Sequence, residues 1–294
     1  MFLEKDRIMK QSEYIKIEGK RFGEERALYA SRGVYVKNCA FDGPEDGESA
    51  LKESSCVLVE DTFCNLRYPF WHDTTLELKN CQLTELCRAA LWYSEEIQIS
   101  DSRLHGIKAL RECANVSITD TDVRSAEFGW MTRGVSLTRV TAEGEYFFFR
   151  GADLVARELN FRGKYSFQYV ENARFEDCVL DTKDAFWHAK NVTVRNCVVK
   201  GEYLAWYSDG LTLENCKIIG TQPLCYCTNL KLINCEMIDT DLAFERSHVE
   251  ATLTAPLISI KNPYSGSITA PSAELILDDP AAKCHIHFTD PSLA

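Results

Sequence analysis

Three groups of side chains in this sequence are of the types and spacing that do chemistry. The first joins Glu48, Glu53, Arg67, His72, Arg88 and Tyr93. The second is Lys108, Arg111, Glu112 and Glu127, with Glu145 and Arg150 just beyond. The third is Asp184 and His188, flanked by Tyr165, Tyr169, Tyr203 and Tyr207. Paired carboxyls held roughly 6.5–9.5 Å apart suit an inverting glycoside hydrolase, one as acid and one as base. Glu127 and Glu145 are the candidates for such a pair. A lyase would instead take its proton on Arg111 or Lys108 and neutralise a uronate on Arg150. Arg67, His72, Arg88, Tyr93, Tyr146, Tyr165, Tyr169, Asp184, His188, Tyr203 and Tyr207 are then candidates to bind substrate. A purely structural reading stands beside this one: Arg–Glu pairs form internally, and like aromatics stack on neighbouring parallel strands.

These residues fall at fixed places in a repeat. Ala173, Val192, Leu211 and Leu230 each open a segment of 19 residues, and the register runs upstream through Leu154, Val135, Val116 and Ile97. Leu76, Val57, Val34 and Ile15 continue it, with extra residues at Phe41 to Ala50 and around Glu85 to Arg88. Twelve units therefore start between Ile15 and Leu230. A short fixed period marks a solenoid, whose units bury their apolar faces only against one another.

Each unit opens apolar-x-apolar, as in Val192-Thr193-Val194, the pattern of a half-buried strand. An Asn or Asp column follows (Asn38, Asp61, Asn80, Asp177, Asn196, Asn215, Asn234), which predicts a corner with stacked side chains. The next residue turns inward and is usually Cys. The unit closes on an aromatic segment such as AFWH or LAWY. Counting back from the next unit, the fifth residue is mostly Trp or Phe, the fourth and eighth mostly Tyr, His or charged. Read as a strand, the fourth and eighth share a solvent face and the fifth and seventh take the other. Arg111 and Gln168 interrupt the fifth column, and a polar group there needs a partner or solvent.

No helical period is present, and 19 residues leave little room for strand plus helix. The fold this predicts is an all-β, single-stranded right-handed parallel β-helix with about twelve rungs of mostly 19 residues. Residues 1–14 are expected to form an N-terminal cap, 15–253 the helix, and 254–294 a C-terminal cap of shorter rungs. The net charge of −11 argues against nucleic acid or an anionic membrane as partner. MFLEKDRIMKQSEY has no apolar core of a secretory signal, and no segment is apolar enough to span a bilayer. A cytoplasmic location is expected, with the 13 cysteines as reduced, buried small hydrophobes. Cys225 and Cys227 are too close for a zinc pair, and no phosphate or dinucleotide loop is present. No metal and no cofactor is expected.

The blocks NLRYPFWH, TELCRAALWY, HGIKALREC, KYSFQYVEN, DTKDAFWH and GEYLAWYS resemble a bacterial family of uncharacterised proteins. The resemblance covers nearly the whole chain. It implies a right-handed β-helix of the pectate-lyase-like superfamily, which includes carbohydrate-active enzymes. The catalytic motifs of polygalacturonases and pectate lyases are missing, so "carbohydrate" rests on fold analogy alone. The expected role is binding or processing of an oligosaccharide or uronate along an aromatic and charged lateral groove. The alternative is a non-catalytic scaffold or protein-interaction solenoid, and the sequence leaves the oligomeric state open.

Overall fold

The computed structural model describes residues 10–44 and 47–290. They form an all-β parallel solenoid of about fourteen turns with almost no helix. The chain divides into two compact units, 1–136 and 137–294.

In the first unit the strands Ile15–Glu18, Arg32–Lys37, Ser55–Glu60, Thr74–Lys79, Glu95–Ser100 and Ala114–Thr119 pair in parallel. Ile15 lies opposite Val34, Val34 opposite Val57, Val57 opposite Leu76, Leu76 opposite Ile97, and Ile97 opposite Val116. The longer units therefore keep the same register, and their extra residues are confined to the connections. A slip of one residue would turn every buried side chain outward, so the apolar columns fix the pairing. A second wall of two- and three-residue strands runs from Arg21–Phe22 to Asp122–Arg124. Gln11–Glu13 is one 3-10 turn, and Gln11 donates to Glu77 at 3.0 Å. With Tyr14 it borders a concavity that Leu58, Thr75 and Glu77 also line. The rest of the expected N-terminal cap, residues 1–9, falls outside the described residues.

In the second unit Ala152–Arg157, Glu171–Glu176, Lys190–Arg195, Asp209–Glu214, Leu230–Ile238 and His248–Leu253 repeat the arrangement. Beyond Thr254 the spacing shortens but pairing continues. His248–Leu253 pairs with Ser265–Ala270, which pairs with His285–Phe288.

The corner after the first wall is left-handed backbone. Asn80, Asn196 and Asn215 have φ of 49, 53 and 53°. Asn234 donates to Asn215 at 3.0 Å, Asn215 to Asn196 and Asn196 to Asp177 at 3.3 Å. Arg139 and Glu158 take the same conformation at this corner, so rung geometry imposes it and the amides reduce its cost. The Cys column next to it is buried, with Cys178, Cys197, Cys216 and Cys235 all 2% exposed or less. All thirteen cysteines are unbridged. The second unit also buries a cluster of rings beside its aliphatic columns: Phe147, Phe148, Phe161, Phe167, Phe175 and Phe186 are fully buried and in contact through a chain of ring pairs. Burying one such side chain stabilises by about 1.5–3 kcal/mol.

Candidate functional site: the outer aromatic wall

In the first unit the closing segments keep only two-residue strands, Phe70–Trp71, Leu91–Trp92 and Leu110–Arg111, paired in parallel; in the second they depart from the strand that the sequence predicts. In the second unit every other residue is left-handed: Tyr165, Phe167 and Tyr169, then Asp184, Phe186 and His188, then Tyr203, Ala205 and Tyr207. Hydrogen bonds between rungs persist. Tyr165 N–H donates to the Lys183 carbonyl, Phe167 to Phe147 and Tyr169 to Trp187, at 2.7 to 2.8 Å. The left-handed residues rotate the chain, so side chains no longer alternate. The sixth and seventh positions (Phe167 and Ser166, Phe186 and Ala185) both point inward and are buried. The fourth, fifth and eighth point outward. The Trp column therefore shares a wall with the Tyr and His columns and does not oppose them, which corrects the face assignment drawn from strand alternation.

That outward placement is held by the indole tips. Trp71 donates to the Ala89 carbonyl, Trp92 to Lys108, Trp187 to Tyr203 and Trp206 to Gln222, at 2.5 to 2.7 Å. Each links the fifth position of one rung to the eighth of the next. Gln168, which interrupts the Trp column, makes the same bond with its amide, to the Asp184 carbonyl at 3.0 Å.

In the first unit, Trp71 and Trp92 stack at 5.0 Å with planes 3° apart, and His72 stacks on Tyr93 at 5.0 Å. Arg111 completes the column as a stacked cation. Its guanidinium lies 5.0 Å from the Trp92 ring and 5.4 Å from Trp130, with Nε 3.2 Å from the Glu112 carboxylate. Lys108 pairs with Glu127 at 3.3 Å and Arg67 with Glu48 at 2.6 Å. Glu53, grouped with these in the sequence, accepts instead from the Tyr29 hydroxyl at 2.5 Å. Arg88 is exposed.

In the second unit the fourth column is a stack of four rings. Tyr169 and His188 lie 4.8 Å apart, His188 and Tyr207 5.0 Å, and Tyr207 and Tyr226 4.8 Å, with interplanar angles of 12, 9 and 12°. Arg150 lies 5.5 Å from the Tyr169 ring at the head of the stack. Tyr146 and Tyr165 stack at 4.9 Å in the eighth column. Glu145 pairs with Lys164 at 3.0 Å and Lys183 with Glu202 at 2.8 Å. Tyr203 carries the Lys183 ammonium 5.1 Å from its ring.

The stack spends its ring faces on each other and turns its edges outward. Tyr169 and Tyr207 are 40% and 47% exposed. Among the described residues, the hydroxyls of Tyr169, Tyr207 and Tyr226 and the ring nitrogens of His188 bond no protein group. By contrast, Tyr29, Tyr35 and Tyr264 each donate to a carboxylate. Burial, then the Glu245 carboxylate, hold the Tyr226 phenol above its ordinary pKa.

Two acids on this segment are buried. Asp184 stands between Tyr165 and Tyr203 in its column; desolvation raises its pKa, against the opposing effect of Lys183. It makes no hydrogen bond or ion pair with His188, its partner in the sequence grouping. Asp73, next to His72, is fully buried. One carboxylate oxygen accepts from the Ser54 N–H at 2.8 Å; the other has no partner. Desolvation pushes its pKa up to about 8. No group of three or more His, Cys, Asp or Glu that could hold a metal occurs among the described residues.

The sequence groupings thus resolve into neighbouring pairs within columns. What they missed lies on another wall. Concavities open on the outer face of the six-residue strands, over Val155, Arg174 and Thr193 and again over Thr212, Lys231 and Glu250. The sequence signal for them is the middle residue of each apolar-x-apolar triplet, which varies from rung to rung.

Residues 15–288 match the model of a family described as "Protein of unknown function (DUF3737)". A comparison with curated proteins finds no match. Among solved structures, the chain is similar to the A-module of the mannuronan C-5 epimerase AlgE6 of Azotobacter vinelandii. That match has 9% identity over 83% of this chain and 90% of that chain, with a TM-score of 0.39. It is also similar to the catalytic domain of a GH87 alpha-1,3-glucanase in complex with nigerose (10% identity, 82% and 63% covered, TM-score 0.35). A third likeness is to PfbA, a surface adhesin of Streptococcus pneumoniae (10% identity, 78% and 69% covered, TM-score 0.36).

Proposed function

The chain belongs to the DUF3737 family, and from the geometry of its outer wall we propose that it binds a linear carbohydrate without turning it over. The observation that carries this reading is the row Tyr169–His188–Tyr207–Tyr226. It offers four unpaired polar tips, one per rung, at a repeat of 4.8 to 5.0 Å. A linear oligosaccharide presents hydroxyls at a comparable repeat, and rigid Tyr and His edges donate to and accept from them at small entropic cost. Arg150 at the head of the row suits a uronate carboxylate.

Binding without turnover is favoured because the residues whose types suit catalysis are engaged elsewhere. Glu127 is held by Lys108, Glu145 by Lys164, and Arg111 by two indoles and Glu112. The same paired-off charges favour a second reading, a scaffold whose wall docks another protein. The proposal includes a reducing compartment such as a bacterial cytoplasm, which suits thirteen unbridged cysteines.

The test is a glycan array combined with an oligosaccharide-turnover screen covering neutral sugars and uronates, run on wild type, Tyr207→Ala and His188→Ala. Wild type is expected to bind at least one linear glycan and release no product. Each variant should weaken binding about tenfold, the effect of losing one hydrogen bond. Cleavage products, or binding indifferent to both substitutions, contradict the proposal. Absence of any glycan binding leaves the scaffold reading standing.

A further inference from the structure

We propose that the outer face of the strands Ala152–Arg157, Glu171–Glu176 and Lys190–Arg195 carries a second binding site, for a small ligand bearing a carboxylate or phosphate oxyanion. The site is a concavity of about 320 Å³ lined by Val155, Arg157, Arg174, Glu176, Thr193 and Arg195, at the small end of the range for ligand sites (~300–1,000 Å³). Its origin is the register of the sheet. Arg174 lies opposite Val155 on one side and Thr193 on the other. A long side chain is thus flanked by two short ones, and hollows remain over the short ones. The same step recurs where Lys231 lies opposite Thr212, at the second concavity of this column.

The charges in the hollow are unequal. Three guanidiniums and one carboxylate line it, and with Glu214 pairing Arg195 from outside the lining one positive charge is left over, in a chain whose net charge is −11. Arg157 is tied to Glu176 at 3.3 Å, and Arg195 to Glu214 at 2.8 Å. Arg174, exposed at the middle of the site, has neither an ion pair nor a hydrogen bond among the described residues. The hydroxyl of Thr193 is likewise unbonded. An unpaired guanidinium recognises an oxyanion through two parallel N–H donors, which a lysine does not reproduce. Arg157 and Arg195 are neutralised by their carboxylates and frame the site, so the charge a ligand meets is that of Arg174. Thr193 supplies a further donor, and Val155 gives the ligand's uncharged part an apolar surface. This site is on a different wall from the ring stack, and its ligand need not be a sugar.

The experiment is calorimetric titration of the intact chain at low and moderate salt. The probes are glucuronate, glucose 6-phosphate, inorganic phosphate and uncharged glucose, and the proteins are wild type, Arg174→Ala and Arg174→Lys. Wild type is expected to bind glucuronate or glucose 6-phosphate more weakly as salt rises, with glucose not bound here. Which of the two binds tells the carboxylate source from the phosphate source; inorganic phosphate binding equally well means that the oxyanion alone is read. Arg174→Ala should weaken binding about tenfold or more, and Arg174→Lys should recover only part of it. Thermal melts of the variants, expected to match wild type because Arg174 is exposed, separate loss of binding from loss of fold. The proposal is overturned if no charged probe binds, if Arg174→Ala binds as wild type does, or if salt has no effect. Glycan binding at the ring stack should be unchanged by Arg174→Ala, so failure of one site does not carry over to the other.

Discussion

Asp73 sits in a column where the residues one rung before and after, Ser54 and Ser94, are hydroxyls. These side-chain oxygens accept backbone N–H groups from the preceding rung: Ser54 N–H donates to Asp73, and Asp73 N–H to Ser94. A carboxyl fills the acceptor role but brings a second oxygen that nothing satisfies, which is why the folded chain keeps it protonated up to about pH 8. The unfolded chain loses that proton near pH 4. Below pH 4 both states hold the proton and stability is undiminished. As pH rises from 4 to 8 only the unfolded state ionises, so stability falls steadily, and above 8 the loss levels off. At ~1.4 kcal/mol per pKa unit the total is on the order of several kcal/mol. Asp73→Ser is therefore expected to raise the melting temperature at pH 8 and to flatten its decline between pH 4 and 8. Calorimetric melts at a series of pH values check this, and a profile identical to wild type would show that another group controls it. The Ser context of this Asp is visible in the sequence once the rungs are aligned. Its burial was not, because the adjacent His72 points to solvent from the same short segment.

At the scale of the element, the aromatic segment shows where sequence patterns stop. The first wall was legible because apolar-x-apolar has one structural meaning in a sheet, and the register from Ile15 to Val116 follows from it. The third segment was not, because alternation presumes extended backbone and here Tyr165, Phe167 and Tyr169 are left-handed. Nothing in the string YSFQY announces φ near +57°, since none of these residues favours it; the hydrogen bonds to both neighbouring rungs impose it. Gln168 offered the clue. An amide replaces an indole without disturbing the column because what both supply is one N–H at the same place. Trp206→Phe isolates that bond: the ring can still stack on Trp187, 5.3 Å away, while the donor to Gln222 disappears. A loss of about 1 kcal/mol is expected in denaturant titrations. An unchanged midpoint would mean that stacking alone places the column.

For the whole molecule, the repeat makes an unusual deletion tolerable. Val192 faces Leu211 on one side and Ala173 on the other, and Val194 likewise faces Leu213 and Phe175. Removing residues 192–210 joins Asn191 to Leu211 and brings those outer partners opposite one another. Solenoid stability is close to a sum of units and nearest-neighbour interfaces, so the shortened chain should fold to the same circular dichroism shape with a melting temperature lowered by a few degrees. Loss of the cooperative transition would show that this rung is needed for more than its own contacts. The thiols give such experiments a built-in readout. Buried cysteines stand at intervals from Cys39 to Cys235, and burial holds Cys81 up to about 12 and Cys227 up to about 11, suppressing the reactive thiolate while their rungs are closed. Alkylation under partial denaturation, read out by mass along the sequence, turns these thiols into a ruler of where the chain opens first, with no label engineered into it.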